Sequence, residues 1–575
     1  MVDDENTNQS DDEKPLEQES EYSESEEEEV EEEPRGPNIF QRAWVKYKTN
    51  PRRNVPITVA VVLFLVFLIP ASRYTVLGLA IKHDFNVTVI DSRTSIPVSG
   101  VELELNGRTA KTDGEGRATL TDVKVGDGTL RAKKTYYKDS ETEVLVPLKT
   151  PKEPQEIKLE ATGRRVPVYV TNRITGEPLE NVQVKALGTE ALTDKLGQTT
   201  IVLPADNPKT EGELNLKGFN KANVEITINE QAVRSNSFQL TPEGKVYFLS
   251  KRTGNINVME ANLDGSKPEV VVKATGREDE NEAQLLTSRD RKYVALKIRR
   301  EGKTARFYLI DTAKDELIEV DGNSEASVGF VGWTGKSFVY TVERTDRAYW
   351  ESNRAALKTY DPETTKITTI DQTRSEGSDD DIYATEEFIN PLILGEQILY
   401  LKVWQASYFG QNLTANKRNS VYKAYVNGGK DLLKDFPVSN TNYLASTQTK
   451  PSEAIVRYGN DFYHFVGGLF NKDSRIDNDD FNYNYPTYLL SASGEQTLWS
   501  EKRDGKNSIF IGDLGGNKPK AIAEASDYQS YGWFGNDYVL VSKNNSELFV
   551  MPASGIGEKG EIVKVTDYHR VLSGY

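Results

Sequence analysis

One stretch of the chain is apolar without a break, and most of the chain beyond it alternates. Residues 54–72 read NVPITVAVVLFLVFLIPAS, with no charged side chain. As a helix rising about 1.5 Å per residue, this run nearly spans a hydrocarbon layer of roughly 30 Å. Its dense core is 57–69; Pro56 suits a helix start and Pro70 marks its end. From about residue 85 onward, Val, Leu, Ile, Phe and Tyr recur at every second position in short runs divided by Gly, Pro, Asn and Asp. That period belongs to strands with one buried face. The pattern predicts a mainly β chain. Its expected parts are a transmembrane helix at 54–72, β-sandwich domains at 83–160 and 164–232, and a β-propeller at 238–575.

Two internal repeats support this division. At an offset of 81, Val89 matches Val170, Pro97 matches Pro178, Val101 matches Val182, Thr112-Asp113 matches Thr193-Asp194, and Gly116 matches Gly197. The Thr-Asp-x-x-Gly element reads as a tight turn, in which Asp bonds nearby backbone and Gly supplies a positive φ. The pattern resembles the Ig-like repeats of carboxypeptidase regulatory-like and collagen-adhesin B-type domains. That resemblance implies a spacer, stalk or adhesion module, some relatives binding carbohydrate.

The second repeat has a period near 50. At an offset of 251, Lys251-Arg252, Gly254, Gly265 and Lys267-Pro268 match Lys502-Arg503, Gly505, Gly516 and Lys518-Pro519. At an offset of 200, Gly332-Trp333-Thr334-Gly335 matches Gly532-Trp533-Phe534-Gly535. Inner-strand candidates fall near Val246, Tyr293, Phe338, Ile398, Ala454, Thr497 and Tyr538, which favours seven blades, with six as the alternative. The phrase NLDGSKP at 262–268 and the spacing resemble TolB-type propellers, whose meander also precedes prolyl-oligopeptidase-type hydrolases.

Charge separates the N-terminus from the rest. Residues 1–37 hold 17 Asp/Glu against Lys14 and Arg35, and the remaining 69 basic and 71 acidic residues nearly cancel. The tail is expected to be disordered and cytoplasmic, able to dock a basic cytoplasmic partner. The basic juxtamembrane segment 38–53 carries Arg42, Lys46, Lys48, Arg52 and Arg53, whereas only Arg73 and Lys82 follow the apolar run before Phe85. This asymmetry places the N-terminus in the cytoplasm and the large C-terminal portion outside the cell membrane. Nothing in the charge balance points to nucleic acid. Cysteine is absent and only three histidines occur, which rules out disulfides and thiolate metal sites. In an exported chain this fits a bacterium.

Candidate chemistry is sparse. Gly335-Lys336-Ser337 lacks the glycine a phosphate loop needs at position 330, which is Phe. No G-x-S-x-G elbow occurs, and the chain is expected not to be an enzyme. Asp379-Asp380-Asp381 and the group Asp473, Asp477, Asp479 and Asp480 offer oxygens to calcium without EF-hand spacing, so solvated loops are the default and no cofactor is assigned. Three insertions rich in aromatics stand out at 345–356, 404–419 and 469–488. Their Tyr349, Trp350, Trp404, Tyr408, Phe409, Phe481, Tyr483 and Tyr485 either stack on a sugar or peptide or pack over the blade edges. The expected function is a membrane-anchored extracytoplasmic binding, adhesion or scaffold protein, its propeller presented to a protein or glycan on a β-sandwich stalk. The alternatives are a structural subunit of a cell-envelope assembly and an enzyme with its site at the propeller channel mouth.

Overall fold

The computed structural model describes Trp44, residues 51–68, and residues 81–568 apart from 150, 152, 280, 504, 558 and 559. The acidic tail 1–37 lies outside the described residues, as does most of the basic segment 38–53. Two compact units are present, 1–81 and 82–575.

In the first unit a helix runs from Pro51 to Leu68. It opens on Pro51-Arg52-Arg53-Asn54, so its first turn is polar. Among the described residues no helix is long and apolar enough to cross a membrane. The expected transmembrane helix at 54–72 runs on into residues 69–72, which lie outside the described residues. Val59, Val62 and Phe64 of this helix are exposed.

The second unit begins with two β-sandwiches. In the first, Lys82–Asp91 is the centre of a three-stranded sheet that faces a four-stranded one; in the second, Arg164–Asn172 takes the same place. The alternation seen in the sequence buries Val166, Val168 and Val170 of one sheet against Val184, Leu214 and Ile226 of the other. The repeated turn is the same in both. Asp113 Oδ1 accepts from the N–H groups of Glu115 and Arg117, and Asp194 Oδ1 accepts from Leu196 and Gln198. Gly116 and Gly197 both sit at φ +70°, and a Cβ there would lie 2.5 and 2.4 Å from the carbonyl oxygens of Val89 and Val170. The second sandwich runs on past residue 232: Ser237–Leu240 pairs in parallel with Arg164–Asn172.

The turn that follows each central strand joins its sandwich to the next module. Asp91 Oδ1 accepts from the N–H groups of Arg93 and Thr94, while Asp91 Oδ2 receives Nε of Arg165 from the second sandwich at 2.8 Å. In the second sandwich Asn172 Oδ1 accepts from Ile174 and Thr175, while its Nδ2 donates to the Tyr538 hydroxyl of the propeller at 2.9 Å. Ile174 itself is fully buried in the core shared by the first and last blades.

Seven consecutive antiparallel sheets follow among the described residues, at 245–272, 284–321, 326–372, 375–437, 444–472, 489–526 and 528–567. We number them blades 1 to 7. The first strands of neighbouring blades touch around the axis: Ala326–Thr334 meets Tyr383–Leu394, counted as first in blade 4 because the short Ser375–Gly377 before it is an extra strand, and Tyr383–Leu394 meets Leu444–Lys450. The residues expected on inner strands lie instead on second strands, such as Tyr293–Ile298, Ser337–Arg344 and Tyr538–Lys543. Second strands are covered on both faces and read as continuous apolar runs. First strands, with one face toward the axis, carry a weaker signal.

Blade 1 has three strands among the described residues, where the other blades have four or five. Its turn at Gly265 matches the third-to-fourth turn of blade 6 at Gly516, so the missing strand is the innermost one, and the chain enters the blade directly from Leu240. No strand pairing joins blades 1 and 7 among the described residues. Side chains close the ring instead: Val246, Phe248 and Leu263 share a core with Phe534, Leu540 and Val550. Arg291 of blade 2 reaches across the gap. Its guanidinium donates to the carbonyls of Lys245 in blade 1 and Trp533 in blade 7 and stacks 4.4 Å from the Phe534 ring centroid. The repeated tryptophans are also ring fasteners. Trp333 Nε1 donates to the Leu286 carbonyl of blade 2, and Trp533 Nε1 to the Leu489 carbonyl of blade 6.

Candidate functional site

A four-stranded meander puts its first-to-second and third-to-fourth turns on one rim of the ring. The second-to-third turns and the passage to the next blade fall on the other. The second sandwich attaches at the first rim. Its contacts are Tyr538, at the first-to-second turn of blade 7, and the third-to-fourth loops of blades 7 and 1, through the Ile174 carbonyl to the Glu561 N–H and the Thr241 hydroxyl to Asp264. The three aromatic insertions all lie on the opposite rim. Residues 345–354 join the second and third strands of blade 3, 407–417 do the same in blade 4, and 473–488 lead from blade 5 into blade 6.

Contacts between neighbouring elements order this rim. Tyr349 stacks on Tyr383 at 5.0 Å and 17° between planes, with the Arg354 guanidinium 4.1 Å from its centroid. Tyr383 starts the first strand of blade 4 and receives the Ser407 hydroxyl on its backbone from the neighbouring insertion. Tyr408 and Phe409 follow Ser407, pack edge to face on each other at 5.1 Å, and are 81% and 67% exposed. Tyr443, between blades 4 and 5, is 70% exposed. Tyr483 and Tyr485 form another edge-to-face pair at 4.9 Å. The exposed rings thus form an arc along blades 3 to 6.

The expected site residues divide. Tyr349, Tyr408, Phe409 and Tyr483 are exposed, and Trp350, Phe481 and Tyr485 are half-buried. Phe481 lies under the Arg457 guanidinium at 4.6 Å. Trp404 is buried, which corrects its place as an open stacking platform. Its backbone pairs with Glu386, and Lys417 Nζ sits 4.8 Å from its ring. Tyr383 and Tyr443 were missed because they lie outside the three insertions, at the starts of strands.

The acidic loops on this rim are engaged with their own backbone. Asp379 Oδ1 accepts from the N–H groups of Asp381 and Ile382. With the Ser378 hydroxyl, these bonds hold its carboxyl below the usual range. Asp477 and Asp480 form a capping box on the short helix Asn478–Asn482, and Asp473 pairs with Arg475. Among the described residues no group of three or more acidic, His or Cys side chains is placed to hold a metal. The calcium reading finds no cage there.

No family model matches the chain, and no curated protein matches it. It is similar to the β-propeller domain of the Trilobed protease from Pyrococcus furiosus, with a TM-score of 0.31, 12% identity, and 63% of this chain and 96% of that one covered. A second likeness is to an acylaminoacyl peptidase from Pyrococcus horikoshii, with a TM-score of 0.31, 11% identity, and 63% of this chain and 51% of that one covered; this chain spans about half the peptidase's length. A third is to an oligogalacturonate lyase solved with manganese, with a TM-score of 0.21, 15% identity, and 47% and 86% covered. What they share with this chain is β-propeller architecture. The expectation that the chain is not an enzyme is overturned. Peptidases and a lyase stand among the structures it is similar to, and the want of a familiar nucleophile motif is no ground for setting catalysis aside.

Proposed function

We propose that the propeller is a binding platform, carried on the two sandwiches, that engages an extended extracytoplasmic polymer, protein or glycan, through the arc of Tyr349, Tyr408, Phe409, Tyr443 and Tyr483. One observation supports this above the others: the exposed rings occupy the rim opposite the sandwich attachment, so a ligand reaches them without meeting the support. Rings spread over several blades suit a long ligand that stacks at several points, each contact contributing about 0.5–1.5 kcal/mol. The sandwiches, similar in their turns to Ig-like modules, serve as the stalk.

A membrane tether is part of the proposal and rests on the sequence. The uncharged run at 54–72 and the basic residues before it favour an anchor with the N-terminus inside. The acidic tail is then free for a basic cytoplasmic partner.

Binding of the detergent-solubilised full chain to glycan arrays and envelope extracts tests the platform. The variant Tyr408→Ala/Phe409→Ala/Tyr443→Ala/Tyr483→Ala is expected to lose binding by about a hundredfold, as for the loss of several hot-spot rings, while its thermal midpoint stays unchanged. Binding that survives all four substitutions defeats the choice of surface. Protease added to intact cells is expected to remove the propeller and spare an N-terminal epitope; the reverse pattern defeats the tether.

A further inference from the structure

The axis of the ring encloses a cavity of about 360 Å³ that opens on the sandwich-bearing rim, away from the aromatic arc. All seven blades line it. Apolar side chains, Leu286, Val331, Ile393 and Leu490 among them, share its walls about equally with polar groups, and it carries the rings of Trp333 and Trp533. A cavity of this size suits a small molecule, with apolar surface to cover its body and polar groups to fix its orientation.

One cation in this mouth has no partner among the described residues. Arg289 lies in the turn between the first two strands of blade 2 and makes no hydrogen bond or ion pair there. Arg291, two positions on, uses both terminal nitrogens in closing the ring. The Arg289 side chain extends over the opening: its Nη1 lies 3.6 Å from where a Cβ on Gly494 of blade 6 would stand. Burial holds it below the ordinary arginine range, and Glu396, on a turn of blade 4, acts in the opposite sense. A guanidinium withdrawn from water and left unpaired costs free energy that a bound anion offsets.

We propose that the channel mouth binds a small organic anion, with a carboxylate across the Arg289 guanidinium and a flat apolar body against Trp333 and Trp533. The planar fork of arginine matches a carboxylate with two parallel N–H bonds, and the two tryptophan rings favour an organic anion over a bare hydrated ion. This inference is independent of the aromatic rim.

The test uses the full chain and three probes: benzoate, benzamide as its neutral counterpart, and inorganic phosphate. Calorimetry and tryptophan fluorescence are expected to show saturable benzoate binding, at least about tenfold tighter than either other probe, as a charge-assisted bidentate contact demands. Arg289→Gln is expected to abolish that preference, and Arg289→Lys to keep part of it. Glu396→Gln removes a competing carboxylate without touching the cavity wall and is expected to tighten benzoate binding. Equal binding of benzoate and benzamide overturns the proposal. So does wild-type affinity in a folded Arg289→Gln variant, unchanged or weaker affinity in Glu396→Gln, or no benzoate binding at all.

Discussion

Asp91 and Asn172 stand 81 residues apart at the same place in the two sandwiches, and each caps the turn that meets the next module. The first junction is electrostatic. Asp91 is buried against Arg165, and Arg93–Glu230, Lys111–Glu190 and Lys195–Glu115 flank it in more exposed positions. The second is chiefly neutral and apolar, with Asn172 on the Tyr538 hydroxyl, Ile174 sunk into the propeller core, and one carboxylate, Asp264, that accepts from the Thr241 hydroxyl. One turn geometry has therefore been fitted with two chemistries. The first is held by ion pairs, which respond to pH and salt, and the second chiefly by groups that do not.

The largest effect that breaks this contrast comes from Ile174→Asp. It places an unpaired carboxylate in an apolar core and is expected to cost about 4 kcal/mol or more, read by urea unfolding, with rapid cleavage near residues 241–244 in limited proteolysis. Arg165→Ala leaves Asp91 buried without its partner. It is expected to cost about 3 kcal/mol, less than the Asp in the core because backbone N–H groups still serve the carboxylate.

Acid sharpens the comparison. Burial pushes the Asp91 carboxyl up, but the Arg165 guanidinium and the N–H groups of Thr94 and Arg93 outweigh it and hold the pKa below the usual value. The stabilisation is complete above the unfolded pKa of about 3.9 and is lost as pH falls through the lower folded value. Small-angle scattering or proteolysis between about pH 4 and pH 2 is expected to show the first junction loosening before the second, a difference that Asp91→Asn abolishes. The smallest effect belongs to Lys134, which lies between the sandwiches and donates to the carbonyls of Ser99 and Glu190. Burial lowers its pKa to about 8, and Glu190 works against this. An unfolded lysine holds its proton to about pH 10.4, so its contribution is expected to rise as pH climbs from 8 toward 10. Carbon-13 NMR of the lysine side chains reads the titration directly.

What was legible in the sequence was local. The 81-residue repeat marked the Asp113 and Asp194 turns and the glycines after them, because each depends on residues within four positions. The 200-residue repeat marked Trp333 and Trp533, although their role as fasteners between blades became visible only with the carbonyls they reach. Contacts far apart in the chain left no pattern: Arg165 on Asp91, Tyr538 on Asn172, and Arg291 on Trp533. Composition likewise picked Trp404 as an exposed ring, because a Trp in an insertion looks the same whether or not a neighbouring strand covers it. Arg289 carried no signal at all, being one arginine among many until the ring placed it over the axis.

The want of an innermost strand in blade 1 among the described residues has a mechanical consequence. The chain enters the ring beside the seam of blades 1 and 7, which only side chains hold, whereas each other pair of neighbouring blades is also joined by the chain that runs from one to the next; tension from the N-terminal side is therefore applied at that seam. Under load, the side chains of Arg291, Phe534 and Ile174 bear it in shear before any hydrogen-bonded ladder is pulled. The point of attachment is thus also where force would first open the disc.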